Sequence, residues 1–520
     1  MTMKNQILTI SFLFFFGLPN YSNCTTRFVK QNGDGNFDGS SWINAAAGIN
    51  LQTIINSSTI GDEVWVACGT YLPTAGSNRT ISFSIKDGVS IFGGFQGTES
   101  LLSERAFSCG SCSILSGEIG TSGISDNSYK VIYNTSLTNT AIIDGFIIRD
   151  GNDDRSPTSA GNGLGGGIYN HGYNSGGYCH PTIRNCIFTN NRASWGGGAF
   201  NNGYNSGDSE PTYINCVFHQ NHAYIEAGGM DSYGVGGNAS PTLINTIFYA
   251  NTAATNVGAM YVWGGNAGGD AHPILINCIF ANNQALNGYG GAFIADNLDE
   301  NGTTSSGSCT VTLQNCIVWN NTSTTLGPQF YIKGASAQIL ATYSAIDITG
   351  QNTPHVLSGT GTGNITSNPL FSSIANALGI DNCWLTDDDG LRLQNGSPCI
   401  DVGNNATIYS TDIASNNRLV GSFVDMGAYE TDATATSIVE HINSSKSKVF
   451  PNPTTGMITL ESETILGNEI SISNALGKEV TNEVTILNQD LFTIKLSIEF
   501  LPAGLYFIKF HETIVKVFKK

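Results

Sequence analysis

An eight-residue segment occurs five times in the middle of this chain. Pro181-Thr182-Ile183-Arg184-Asn185-Cys186-Ile187-Phe188 is followed by Pro211 to Phe218, Pro241 to Phe248, Pro273 to Phe280 and Val311 to Val318, at intervals of 30, 30, 32 and 38 residues. Repeats of that length mark a solenoid, in which each unit buries its apolar face only against its neighbours. The segments are short, rich in β-branched and aromatic residues, and bounded by Gly, Asn and Ser, which is the pattern of strands. A second short strand follows a glycine cluster in each unit: Gly167-Ile168-Tyr169, Gly198-Ala199-Phe200, Gly229-Met230-Asp231, Gly258-Ala259-Met260 and Gly291-Ala292-Phe293. No helical period runs through the region. Strands recurring in one register without helical crossovers predict an all-β chain built as a single-stranded parallel β-helix.

In such a fold each repeat position becomes a column of like residues about 4.8 Å apart. One column is Asn in every copy, at Asn185, Asn215, Asn245, Asn277 and Asn315, and a second holds Asn191, Asn221, Asn251, Asn283 and Asn321. Asn tolerates the left-handed backbone of a tight bend, and stacked amides can hydrogen-bond from rung to rung. Phe188, Phe218, Phe248 and Phe280 form a predicted aromatic core column, beside a small-residue column of Cys186, Cys216, Thr246, Cys278 and Cys316. Free cysteine packs as a small hydrophobe, so core filling is the plain reading of those thiols, with rung-to-rung disulfides as the alternative. The columns account for a composition that otherwise looks low in complexity, with 62 Gly in 520 residues and only 12% charged. The net charge of −18 argues against nucleic acid or an anionic membrane as partner, since both need clustered Lys and Arg. Residues 441–520 hold 8 basic and 8 acidic residues, so the acidity belongs to the solenoid.

The pairing of Gly197-Gly198-Ala199 with Phe218-His219-Gln220-Asn221 resembles the repeats of polymorphic outer membrane proteins, which are exported β-helical passengers, many of them adhesive. Upstream, Thr26-Arg27-Phe28-Val29, Gly39-Ser40-Ser41-Trp42, Gly61-Asp62-Glu63-Val64-Trp65-Val66, Gly69-Thr70-Tyr71 and Val89 to Phe95 resemble the entrance rungs of such proteins. Downstream, Leu393 to Asp401 and Val424 to Glu430 resemble a closing choice-of-anchor segment, spanning about residues 365–430. The resemblance implies a right-handed helix over residues 24–430. A polar linker, 431–448, leads to a module at 449–520 that contains Pro451-Asn452-Pro453, Gly477-Lys478 and Gly504-Leu505-Tyr506 in order. This module resembles the C-terminal sorting domain of the type IX secretion system. It implies a small β-sandwich, the type IX machinery as partner, and a place outside or on the outer surface of a Gram-negative cell.

The first 23 residues read as an export signal: Lys4 precedes an apolar run from Ile7 to Leu18 that is too short to span a bilayer. No other stretch is long and apolar enough for a transmembrane segment. Export permits disulfides, so Cys383 and Cys399 could bridge their loop. Cys109 and Cys112 form a lone C-x-x-C with no second ligand pair, which fits a local disulfide or two thiols better than zinc.

Chemistry is less legible. Polysaccharide enzymes on this fold need carboxylates to hold calcium or protonate a leaving group, or a basic residue to take a proton. The loops ahead of each repeated strand place His180, Asp208, Glu210, Asp270 and His272 at matching positions, where they could form a ridge. Asp231 breaks a column read as Tyr169, Phe200, Met260 and Phe293, with His222 and Glu226 nearby in sequence. Basic residues are scarce: after Arg192 none occurs until Lys333, so a lyase base is hard to find. Asp34-Gly35-Asn36-Phe37-Asp38-Gly39 reproduces the first half of a calcium loop, but Ala45 stands where the bidentate Glu belongs. Tyr204, Tyr233, Tyr261 and Trp263 sit in or beside the Gly-rich loops, where amphipathic rings suit a sugar or a protein surface. Three functions fit: a non-catalytic adhesin or glycan binder, a polysaccharide lyase or hydrolase, and a structural spacer. None requires a cofactor, apart from the calcium considered at Asp34, Asn36 and Asp38.

Overall fold

The computed structural model describes residues 24–105, 113–158, 161–303, 305–351, 361–407, 409–431, 448–461, 470–475, 478–489, 493–510 and 513–520. The export signal at 1–23, the Cys109/Cys112 pair and nearly all of the 431–448 linker lie outside these residues. The chain divides into two compact units, Met1–Ala433 and Thr434–Lys520.

The first unit is a parallel β-helix whose central coils each contribute four short strands. In one coil these are Thr182–Arg184, Ile187–Thr189, Arg192–Trp195 and Ala199–Asn202. Each pairs in parallel with its counterpart one coil on: Thr212–Ile214, Val217–His219, His222–Glu226 and Met230–Tyr233. Four parallel sheets result, and we number them first to fourth in that order. The eight-residue repeat is therefore two strands with a corner between them. Asn185, Asn215, Asn245, Asn277 and Asn315 make that corner with φ between 48° and 54°. Their amides donate backwards, Asn215 to Asn185 at 3.2 Å and Asn245 to Asn215 at 3.0 Å.

The second Asn column works differently. Its left-handed residue is the one before it, at Asn190, Gln220, Ala250, Asn282 and Asn320. Asn191, Asn221, Asn251 and Asn283 are instead fully buried and form a forward ladder. Asn191 donates to Asn221, Asn221 to Asn251, Asn251 to Asn283, and Asn283 to Asn321, at 2.8–3.1 Å. Each amide also bonds a backbone carbonyl, as Asn221 does to Phe188 at 2.9 Å. These side chains replace the water that interior backbone groups at a corner would otherwise need.

Inside the coil, Phe188, Phe218, Phe248 and Phe280 stack at 4.6 Å with planes within 8° of parallel. Cys186, Cys216, Cys278 and Cys316 are buried free thiols, so they fill the core and do not cross-link the rungs. Gly198 and Gly229 let the chain pass close to this stack: a Cβ at Gly198 would lie 2.8 Å from Phe218 and 2.5 Å from the Gly229 carbonyl.

The N-terminal end is closed by helix Leu51–Ser57, whose Leu51 and Ile55 join the main core. Among the described residues, those beyond about 365 form no strand up to the end of the first unit. They fold back along the outer face of the second sheet. There Trp384, Leu391, Leu393, Met426 and Tyr429 cover Val217, Ile247, Ile279 and Ile317. Asn245 and Asn315 reach out of the coil to the carbonyls of Thr411 and Asn404, at 2.8 and 2.9 Å. Cys399 is a buried free thiol, which removes the expected bridge to Cys383. The second unit packs two antiparallel sheets, one of four strands and one of three, around Ile458, Leu460, Ile472, Ile494, Leu496, Ile508 and Val517, as a small β-sandwich.

Candidate functional site

The fourth sheet aligns its residues one place differently from the sequence reading. The column that contains Asp231 is Tyr169, Phe200, Asp231, Tyr261, Ile294 and Tyr331, whereas Met260 and Phe293 fall in the neighbouring column, with Met230, facing the core. Glycine clusters of unequal length shift the apparent register by one. Asp231 is 2% exposed, its Oδ1 has no hydrogen-bond partner, and burial pushes its carboxyl well above the usual range. It lies beneath the surface.

The next outward columns build a cleft at the corner between the third and fourth sheets. Leu164 and Trp195, in bridge register, lie on one side. Tyr173 and Tyr204, from successive loops after the fourth sheet, lie on the other, stacked 5.7 Å apart and 10° from parallel. Phe200, Asn202 and Tyr233 contribute from the sheet between them, and Glu300 reaches in from the loop after Phe293–Asp296. The cavity measures about 150 Å³. Tyr233 packs against Trp195, Phe200 and Tyr204 at 5.6–5.9 Å and donates its hydroxyl to Glu300 at 3.1 Å. Asn202 is occupied by the fold, giving its amide to the Tyr169 hydroxyl and accepting the Tyr204 backbone N–H. Trp195 keeps a buried indole N–H with no partner.

Of the four aromatics singled out by sequence, Tyr204 and Tyr233 line this cleft. Tyr261 does not, being 3% exposed with its hydroxyl donated to Asp296 at 2.7 Å. Trp263 packs edge-on against Tyr233 and donates its indole N–H to the Leu298 carbonyl. Trp195, Phe200 and Glu300 escaped the sequence reading as cleft residues. Phe200 read as an ordinary strand position, Trp195 carried no signal of its own, and nothing local ties Glu300 to a coil 67 residues earlier.

A second cluster lies along the outer edge of the first sheet. Successive rungs align Tyr178, Asp208, Asn238, Asp270 and Ser308 in one column. His180, Glu210, Asn238, Ser240, Asp270 and His272 line an open trough of about 720 Å³. His180, Asp208 and Glu210 converge, with ligand atoms within 4.8 Å of one another. Asn238 ties the two carboxylates together, donating to Asp208 at 3.1 Å and Glu210 at 2.6 Å. Burial, reinforced by Glu210, raises the Asp208 carboxyl. The His180 Nδ1 accepts the Glu210 backbone N–H at 3.1 Å, so the neutral ring carries its proton on Nε2, 3.6 Å from Asp208. One nitrogen and two carboxylates could hold a divalent cation, but the ring proton would first have to leave the nitrogen that faces it. Further along, Ser308 donates to Asp270 at 2.5 Å and contacts His272 Nε2 at 3.0 Å. Asp231 joins neither cluster.

The three loop residues considered for calcium are exposed and bond to residues of their own segment. Asp34 pairs with Lys30 at 2.9 Å and accepts the Gly35 N–H, Asn36 accepts the Asp38 N–H, and Asp38 accepts the Ser40 N–H.

Residues 448–520 match the family described as secretion system C-terminal sorting domain. The chain is therefore a secreted protein carrying a type IX sorting domain, which implies contact with that machinery; among the described residues no helix is long and apolar enough to cross a membrane. Among solved structures, the crystal structure of pectate lyase Pel9A is 16% identical, with a TM-score of 0.38 and coverage of 78% of this chain and 97% of that one. No curated protein matches the chain in sequence.

Proposed function

We propose that this secreted β-helix binds extracellular glycans without cleaving them, in the cleft framed by Trp195, Tyr173, Tyr204 and Tyr233. The observation that carries the reading is the cleft itself: aromatic rings from consecutive coils beside a carboxylate and an unpartnered indole N–H. Sugar faces stack on such rings, and hydroxyls satisfy such polar groups. The adhesin-like character of the repeats, the anchor-like character of residues 365–430 and residence at the outer-membrane surface belong to the same proposal. An array of soluble polysaccharides and oligosaccharides tests it. The intact protein should retain at least one glycan, and Tyr204→Ala should weaken that binding about tenfold, a loss of about 1.4 kcal/mol of stacking. A blank array, or binding indifferent to Tyr204, overturns the reading.

One observation favours a hydrolase or lyase as the second reading: two carboxyls within 4.8 Å, one of them raised, in an open trough. Glycosidic cleavage uses a pair of carboxyls, one of them kept protonated as the acid. Release of reducing ends or unsaturated uronates from acidic polysaccharide, abolished by Glu210→Gln, would favour this reading over the first.

A further inference from the structure

We infer that the aromatic cleft selects saccharides bearing a free, protonated amine. The inference rests on the glycan-binding reading above and names the class of sugar. Glu300 stands at the cleft with no basic partner among the described residues, since none of the ion pairs involves it. Three basic residues of the neighbouring coils are paired elsewhere: Lys130 and Arg155 with Asp153, and Lys333 with Asp296. What Glu300 does hold is the Tyr233 hydroxyl at 3.1 Å, and its charge also bears on Tyr204. A carboxylate that holds Tyr233 and bears on Tyr204, beside Trp195, gives the cleft aromatic walls with one anionic side. Aromatic faces attract a cation by their quadrupole, and a carboxylate adds a charge-assisted hydrogen bond. A neutral hydroxyl uses neither. At about 150 Å³ the cavity admits one pyranose ring or less, so discrimination falls on a single sugar unit. The solenoid's own acidity, which carries the whole net charge of −18, would draw a polycationic glycan towards it and repel a polyuronate.

Three β-1,4-linked oligomers that differ only at carbon 2 test this: glucosamine, N-acetylglucosamine and glucose. Calorimetry of the full chain at low salt should show the glucosamine oligomer bound about tenfold tighter than either neutral analogue, with the preference shrinking as salt rises. Glu300→Gln, an exposed change that leaves the coil intact, should bring the three affinities together, while Tyr204→Ala should weaken all of them. Equal binding of the three oligomers by the unaltered protein, sensitive to Tyr204, overturns amine selection and leaves glycan binding standing. A glucosamine preference that survives Glu300→Gln also overturns it, because the surface field and not the cleft would then be responsible. No binding of any of the three overturns it as well, and the wider glycan array then decides separately whether the cleft binds sugar at all.

Discussion

Asparagine does two jobs in this protein, and the residue scale separates them. At Asn215 the backbone is left-handed and the amide makes two rung-to-rung bonds, donating to Asn185 and accepting from Asn245, with no bond to a backbone group among the described residues. At Asn221 the amide is sealed inside, accepts from the Asn191 backbone and side chain, and donates to the Phe188 carbonyl and to Asn251. Asn215→Gly keeps the conformation and should cost about 1 kcal/mol, whereas Asn221→Gly strands buried partners and should cost about 3 kcal/mol or more. Denaturant midpoints of the two variants check this; equal losses would mean that the ladder is not the stronger element. Both columns were plain in the sequence because the repeat prints them five times. Their difference was not, since burial of a side chain depends on which way the corner turns.

Among the elements, the returning segment at about 365–430 is the least regular and the most charged inside. Asp389, Asp425 and Glu430 are buried, and burial pushes their carboxyls up, to about 7, 6 and 7. A raised carboxyl favours the protonated folded form, so stability is lost as pH rises from about 4 through these values. His219, packed against Trp384 of the segment, acts in the opposite sense: burial lowers it to about 4, so it weakens docking as pH falls from 6.5. Three groups outweigh one between pH 8 and 5.5. Amide exchange in residues 377–430 should therefore be slower, relative to intrinsic rates, at pH 5.5 than at pH 8, and His219→Phe should enlarge the difference. Faster opening at pH 5.5 would count against this balance. The sequence showed a closing motif here without showing what it closes, because irregular chain carries no periodicity to fix its path. Its place follows from the apolar outer face of the second sheet, which only the coiled structure assembles.

At the scale of the whole molecule, solenoid and sorting sandwich are separate compact units with separate cores. Deletion of 448–520 should leave the β-helix folded and abolish delivery to the medium or cell surface in a host with a type IX system, as fractionation and far-UV dichroism would show. A truncated protein that still reached the outside would show that another part of the chain carries the address.

The sequence by itself determined the superfold, the rung length, the core columns and the sorting module, because repetition multiplies each weak local signal. It also placed His180, Asp208, Glu210, Asp270 and His272 at matching positions. Only the tertiary structure decided that the first three converge, that Asp231 is buried beneath the surface, and that Trp195, Tyr204, Tyr233 and Glu300 meet in one cleft. The reason is physical. A column is a relation between residues one coil apart, which a repeat displays directly, whereas a cleft is a relation across columns and loops, set by corner angles and by loops that differ from rung to rung.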